Sequence, residues 1–161
     1  MPSLSLHSPL GPLTLTEEDG SIVAVDWGWS RGSEETGLLA LARDQLAEYF
    51  DGARQRFSLP LGPAGTPFQK SVWAQMVRIP YGSTDSSAGL ARALGSSARA
   101  VGMACGANPL PLLIPCHRVV GSGGRLTGYS GGDGIATKRY LLEHEGALPN
   151  PVASLNLAFA F

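Results

Sequence analysis

Apolar and polar residues alternate from Leu4 to Leu15 around Ser8-Pro9-Leu10-Gly11-Pro12, which predicts a strand, a turn and a second strand. After a turn at Glu17-Glu18-Asp19-Gly20 the strand pattern resumes over Ser21–Trp27, carried by Ile22, Val23 and Val25. The period then changes. Between Gly37 and Phe50, apolar residues recur at helical spacing (Leu38, Ala42, Leu46, Tyr49–Phe50) with charges between them, and Asp51-Gly52 stops the helix. Phe57-Ser58-Leu59-Pro60 reads as a short strand, and Leu61-Gly62-Pro63-Ala64-Gly65 has a linker's composition. Residues 1–60 therefore predict a small sheet with one helix, 61–65 a linker, and 66–161 a second, mainly helical domain. The class is α+β. Residues 1–60 carry no visible chemistry, and Trp27 and Trp29 are expected to be packing or rim residues.

A strong helix start opens the second domain, with Thr66 as N-cap and Pro67 at the first helical position. Phe68, Val72 and Met76 share its predicted buried face, and Ile79-Pro80-Tyr81-Gly82 turns the chain. A helix-turn-helix pattern follows: Ser86–Leu94, with Leu90, Ala91 and Leu94 on one side, then Gly95-Ser96-Ser97, then a helix from Ala98 to about Cys105. The second helix is expected to turn Ala98, Val101 and Cys105 inward, and Arg99, Gly102, Met103 and Gly106 outward. A helix pair packed through small residues is the plain reading. A face lined with glycine can also lie close to a DNA backbone, where a long cation can wedge into the base stack. The last helix is predicted over about Ala136–Glu145 and ends at Gly146. Leu141, Leu142 and Glu145 share one stripe, and a carboxylate on a buried stripe needs a partner. His117 is the natural one. His144 falls off the stripe and is expected in solvent, and the apolar tail Ala147–Phe161 is a candidate to dock on the N-terminal sheet.

Composition narrows the class without naming a function. With 43% hydrophobic and 16% charged residues in 161, the chain is an ordinary globular protein rather than a disordered one. No apolar run reaches membrane-spanning length and no secretory pattern opens the chain, so a cytoplasmic location is expected, nucleoid-associated if the source is bacterial. Cys105 and Cys116 make no disulfide framework, and His7, His117 and His144 have no metal-ligand spacing, so no metal is expected. The net charge of −1 hides a division. Residues 1–60 hold four arginines against nine acids (−5), and residues 61–161 hold eight lysines and arginines against four acids (+4). That asymmetry hints at a nucleic-acid surface on the C-terminal part, and eight spread charges fit a solvated face equally well.

The chemistry concentrates at Pro109-Leu110-Pro111-Leu112-Leu113-Ile114-Pro115-Cys116-His117-Arg118-Val119-Val120. A thiol is nucleophilic only as thiolate and needs a base or positive charge nearby, and His117 is nearest in sequence. Adjacent side chains do not face each other on a helix or a strand, so the link from Cys116 to His117 is expected through a turn or a bridging water. A buried structural cysteine beside a surface histidine is the plain alternative. Beyond this lies a glycine-rich stretch, Gly121–Gly134, either a flexible connection or a wall along which backbone amides approach a ligand.

Pro115-Cys116-His117-Arg118-Val119-Val120 resembles the signature of the methylated-DNA–protein-cysteine methyltransferases, the O(6)-alkylguanine-DNA alkyltransferases. The resemblance runs from about Phe68 to Gly146, through Tyr81-Gly82, Ala98-Arg99-Ala100-Val101-Gly102, Asn108-Pro109, Gly128-Tyr129-Ser130-Gly131-Gly132 and Leu141-Leu142-Glu143-His144-Glu145-Gly146. It implies a ribonuclease-H-like N-terminal domain and a helix-turn-helix C-terminal domain. The implied partner is double-stranded DNA carrying O-alkylated bases, met by a monomer without cofactor. The implied reaction is a single-turnover transfer of the alkyl group from O(6)-alkylguanine, with O(4)-alkylthymine as a second candidate, to Cys116 of a base-flipping protein. His117 and Glu145 complete the catalytic set. Arg99 would fill the gap left by the flipped nucleotide, with Gly102 and Met103 beside it in the minor groove. Asn108 would brace the turn, Tyr129 and Val119 would line the base pocket, and Ser130 would reach the guanine oxygen.

The chain departs from the family at Ser87, where many relatives carry a tyrosine whose hydroxyl contacts the target base, and Ser83 and Asp85 are also atypical. A run slightly longer than usual at Asp133–Tyr140 is expected to reshape the pocket's lip. Ser87 keeps open an alternative, a lesion-binding protein of the alkyltransferase-like kind that flags damage without transfer, although such proteins typically replace the nucleophile. A thiol hydrolase is the other alternative; no oxyanion motif accompanies it.

Overall fold

The computed structural model describes residues 1–32, 34–129 and 131–148. Strands β1 (Ser3–Leu6), β2 (Leu13–Glu18) and β3 (Ser21–Trp27) form an antiparallel sheet in that order. Asp19 and Gly20 both take positive φ, as a two-residue hairpin turn between right-twisted strands requires. The register sets Leu4 opposite Leu15, Leu15 opposite Val25 and Leu13 opposite Trp27, so these residues share one face. Helix α1 (Gly37–Phe50) covers that face through Leu39, Ala42, Leu46 and Tyr49. The stripe is turned slightly from the expected one, since Leu39 is buried and Leu38 only half-buried. Phe57–Pro60 forms no strand. Pairing begins one residue later, where Leu61 bridges Ile22, and Gln45 instead holds the backbone of Ser58 through its side-chain amide. Proline has no N–H to give a ladder.

In the second domain, α2 (Pro67–Val77) starts with a reciprocal cap between Thr66 and Gln69. It buries Val72, Trp73 and Met76; Phe68, expected on that face, is exposed in the first turn. After β4 (Asp85–Ser86), α3 (Ser87–Leu94) is capped by Ser86 and stopped by Gly95 in the left-handed conformation, and α4 (Ala98–Gly106) is capped by Ser97. The buried face of α4 is Val101 and Ala104, with Ala98 exposed and Cys105 half-buried, a rotation of one residue from the sequence expectation. The outward set Arg99, Gly102, Met103 and Gly106 is exposed. A 3₁₀ turn at Cys116–Arg118 leads into β5 (Val119–Val120), which pairs in parallel with β4 and ties the start of α3 to the active-site segment. Helix α5 (Ile135–His144) ends at Gly146, with φ +75°. Its first turns take up the run Asp133–Tyr140. The tail beyond residue 148 lies outside the described residues.

One core runs through both domains. Val25 N–H donates to the Pro109 carbonyl at 2.9 Å, and the His144 ring is 2.7 Å from the Tyr49 carbonyl. His144 is therefore half-buried and joined to α1 rather than in solvent. No helix among the described residues is long and apolar enough to cross a membrane. The buried Trp73 indole donates to the Ala104 carbonyl at 2.8 Å, fixing α2 against α4. Replacing Trp73 by Phe removes the indole donor and leaves the Ala104 carbonyl only the Ala107 N–H at 3.2 Å, which should cost about 0.5–1.5 kcal/mol of stability, read as a lowered urea midpoint.

Candidate active site

The segment before the cysteine is built from proline and buried leucine. Asn108 spans it, with its side-chain amide donating to the Ile114 carbonyl at 3.0 Å and its side-chain oxygen accepting from Leu110 N–H at 2.9 Å. Leu112, at φ +74°, is a non-glycine residue in the left-handed region, a strained conformation held by burial of Leu110, Leu112, Leu113 and Ile114. This rigid bend delivers Cys116 to the first position of the 3₁₀ turn and sends His117 into the core.

His117 is fully buried and pairs with Glu145, Nε2 to Oε2, at 2.8 Å. An ionised carboxylate only accepts, so Nε2 carries the proton and Nδ1 keeps a free lone pair. That Nδ1 is buried and meets no hydrogen-bond partner among the described residues. Glu145 has further donors. Arg118 reaches both of its oxygens, Nε to Oε1 at 2.8 Å and Nη2 to Oε2 at 3.0 Å, while Arg118 Nη1 donates to the Ile79 carbonyl at 2.7 Å. The Tyr49 hydroxyl, from α1, donates to Oε2 at 2.6 Å. Burial would raise the Glu145 pKa, but the hydrogen bonds from His117, Arg118 and Tyr49 outweigh it and hold the carboxyl at about 2. Burial lowers the His117 pKa despite the carboxylate, keeping the ring neutral.

Cys116 lines a cavity of about 350 Å³. Burial raises its thiol pKa, opposed by the Asn108 side chain, the charge of Lys138 and the backbone N–H groups of Cys116 and His117. The cavity gathers Ser87, Gly102, Asn108, Val119 and Tyr129 from the sequence-predicted set. Gly102 and Gly106 open the exposed face of α4 onto it, while Arg99 and Met103 stay outside on that face. The Ser87 hydroxyl donates to the Val120 carbonyl at 3.3 Å rather than into the cavity. The Tyr129 hydroxyl is buried with no partner among the described residues. Ser130 lies outside the described residues.

Four contributors escaped the sequence reading. Lys138 is buried at the cavity and donates to the carbonyls of Val119 and, at 2.8 Å, Thr127. Its signal was present, since residues 138, 141, 142 and 145 fall on one helical stripe. Arg118 stood inside the motif. Tyr49 and Trp27 come from the domain expected to carry no chemistry, and no local pattern marks either.

The two pKa shifts define an acid response. A buried neutral His117, below its ordinary 6.5, means the unfolded chain takes up that proton first, so stability falls below pH 6.5. Glu145, depressed from 4.5 to about 2, adds stability that is full above 4.5 and is lost as pH falls toward 2. Urea unfolding at pH 7, 5.5 and 4 should show this decline. Tyr49→Phe at pH 7 should cost about 1.5–3 kcal/mol by removing one donor to a buried charge.

Residues 4–63 match the family described as 6-O-methylguanine DNA methyltransferase, ribonuclease-like domain, and residues 67–147 match the 6-O-methylguanine DNA methyltransferase, DNA binding domain. A constitutive methylated-DNA–protein-cysteine methyltransferase of Bacillus subtilis is 45% identical over 152 residues, covering 86% of this chain and 92% of that one. A methylated-DNA–protein-cysteine methyltransferase of Methanosarcina acetivorans is 37% identical, covering 88% and 96%. The crystal structure of Mycobacterium tuberculosis OGT in complex with DNA superposes with a TM-score of 0.82 at 40% identity, covering 91% of this chain and 94% of that one. With both family models matched in order along the chain, and relatives this similar over nearly its whole length, the chain belongs to the methylated-DNA–protein-cysteine methyltransferase family.

Proposed function

We propose that this protein repairs duplex DNA by direct damage reversal, moving an alkyl group from the O(6) oxygen of guanine onto Cys116. The observation that carries the reading is the pairing of a cavity-lining thiol with a buried neutral histidine whose Nε2 is committed to Glu145 and whose Nδ1 is free. His117 Nδ1 takes the thiol proton through a water molecule. The thiolate attacks the alkyl carbon in line, the S–C bond forms, the C–O bond breaks, and its electron pair returns to the guanine, whose ring nitrogen takes up a proton from water as His117 releases the thiol proton to water. Glu145 holds the His117 tautomer and offsets the charge that develops on the ring. The thioether has no easy route back to thiol, so each molecule acts once.

The exposed face of α4 would enter the minor groove. Gly102 and Gly106 allow close approach, Met103 packs beside the backbone, and Arg99 takes the space of the flipped nucleotide. The flipped base would enter the cavity between Val119 and Tyr129, with Asn108 keeping the cysteine turn rigid. DNA carrying O-alkylated bases is the partner, and one copy of the chain suffices. Retention of Cys116 beside an oriented base favours transfer over damage-flagging.

Intact-protein mass after mixing with excess duplex bearing one O(6)-methylguanine tests this. One methyl adduct mapped to Cys116, and none in Cys116→Ala, is expected; tight lesion binding without an adduct would leave a flagging protein. At position 87 the small side chain lines the cavity, but its hydroxyl donates to the Val120 carbonyl at 3.3 Å and extends less far than a tyrosine would. Ser87→Tyr should raise the single-turnover rate several-fold, and a slower or unchanged rate would assign base rotation to other residues.

A further inference from the structure

We infer that Trp27, the last residue of β3, is a positioning residue for alkyl transfer: its indole braces the glycine-rich loop that forms one wall of the cavity. The inference rests on the alkyl-transfer reading and deepens it.

Gly131 is the decisive observation. It does not adopt a positive φ, unlike Gly128, Gly132 and Gly134 around it, so its backbone conformation is open to any residue. What forbids a side chain there is the Trp27 ring. A Cβ on Gly131 would lie 2.7 Å from the indole Nε1 and 2.9 Å from both Cε2 and Cζ2, and a Cβ on Gly132 would lie 3.3 Å from Cζ3. The loop backbone is thus seated directly on the indole. Trp27 itself is placed by the sheet, opposite Leu13, and β3 is tied to the active-site segment by the bond from Val25 N–H to the Pro109 carbonyl.

The other end of the loop is held differently. Lys138 donates to the Thr127 carbonyl at 2.8 Å. Tyr129 lies between these two pins and lines the same cavity as Trp27 and Cys116. A segment this rich in glycine loses much entropy on ordering and holds no fixed shape without such contacts. Lys138 and Thr137, whose hydroxyl accepts from the Asp133 N–H at 2.9 Å, hold it from α5, and Trp27 bears on its Gly131 turn from the N-terminal domain. The sheet therefore sets the position of the Tyr129 wall relative to Cys116, although it contributes no reacting group.

Single-turnover transfer from duplex DNA bearing one O(6)-methylguanine, with protein in excess, separates the limiting rate from the half-saturating concentration. Misplacing the wall should lower the limiting rate of Trp27→Ala about 10- to 100-fold. Half-saturation, governed by the α3–α4 surface, should stay within about twofold, a change too small to report a lost contact. Gly131→Ala should lower the limiting rate likewise, because its methyl collides with the intact indole. In Trp27→Ala/Gly131→Ala the methyl has room, so the double variant should be no slower than Trp27→Ala alone. Alkylation of Cys116 by iodoacetamide should be unchanged throughout, because the cysteine, His117 and Glu145 are untouched. Wild-type limiting rates in the single variants, additive losses in the double, or a matching fall in iodoacetamide reactivity would each overturn the inference. A wild-type protein that transfers no methyl group would instead remove the alkyl-transfer reading on which it stands.

Discussion

A carboxylate taken out of water is costly unless its lone pairs are occupied, and Glu145 is such a carboxylate. Its two oxygens accept from His117, twice from Arg118, and from Tyr49. These donors come from the turn that carries the nucleophile and from the helix that covers the N-terminal sheet. Satisfying one buried charge therefore docks α5, closes one domain on the other and fixes the histidine ring in a single arrangement. Burial, with the charge of the guanidinium acting in the same direction, keeps His117 neutral beside the carboxylate and free at Nδ1. An uncharged partner for the thiol is thus obtained from a site containing two full charges.

Around that fixed centre the two walls of the cavity differ in stiffness. Proline, Asn108 and the strained Leu112 hold the segment leading to Cys116 in one shape. The wall after Val120 is half glycine and is held from outside, by Lys138 and Thr137 on α5 and by the Trp27 ring. Burial keeps the resting Cys116 protonated, which suits a nucleophile that can be used only once, since a standing thiolate would react with any passing electrophile. In the proposed reaction, deprotonation falls to His117 rather than to the bulk solvent.

The acidic surface of residues 1–60 and the basic surface of residues 61–161 divide the labour along the same boundary. An acidic domain lying flat on a phosphate backbone would be repelled, so charge alone favours approach through the helix-turn-helix side. Yet the acidic domain is not a passive lid. Tyr49 and Trp27 reach from it to the Glu145 carboxylate and to the cavity wall, so the site's geometry draws on both domains.

Local rules reached far in this chain because each rests on neighbours in sequence. The hairpin strands, the cap at Thr66, the helical stripe of α5 and the Cys116-His117 motif all follow from spacing of two, three or four residues. The pairing of Glu145 with His117 was legible for the same reason, since a carboxylate on an apolar stripe demands a partner. Rotational details were not. Whether Leu38 or Leu39, Phe68 or Trp73, Ala98 or Ala104 turns inward depends on the neighbouring element, because each helix offers two adjacent apolar rows. The strand expected at Phe57–Pro60 failed because its ladder partner, Ile22, pairs only at Leu61. The parallel pairing of β4 with β5 joins residues more than thirty positions apart and has no sequence period at all. By itself the sequence determined the strands and helices, the family motif at Cys116-His117 and the buried pairing of Glu145 with His117. Tertiary structure alone decided that Tyr49, Trp27 and Lys138 shape that site, because burial of a charge and contact with a glycine backbone exist only once distant segments have met.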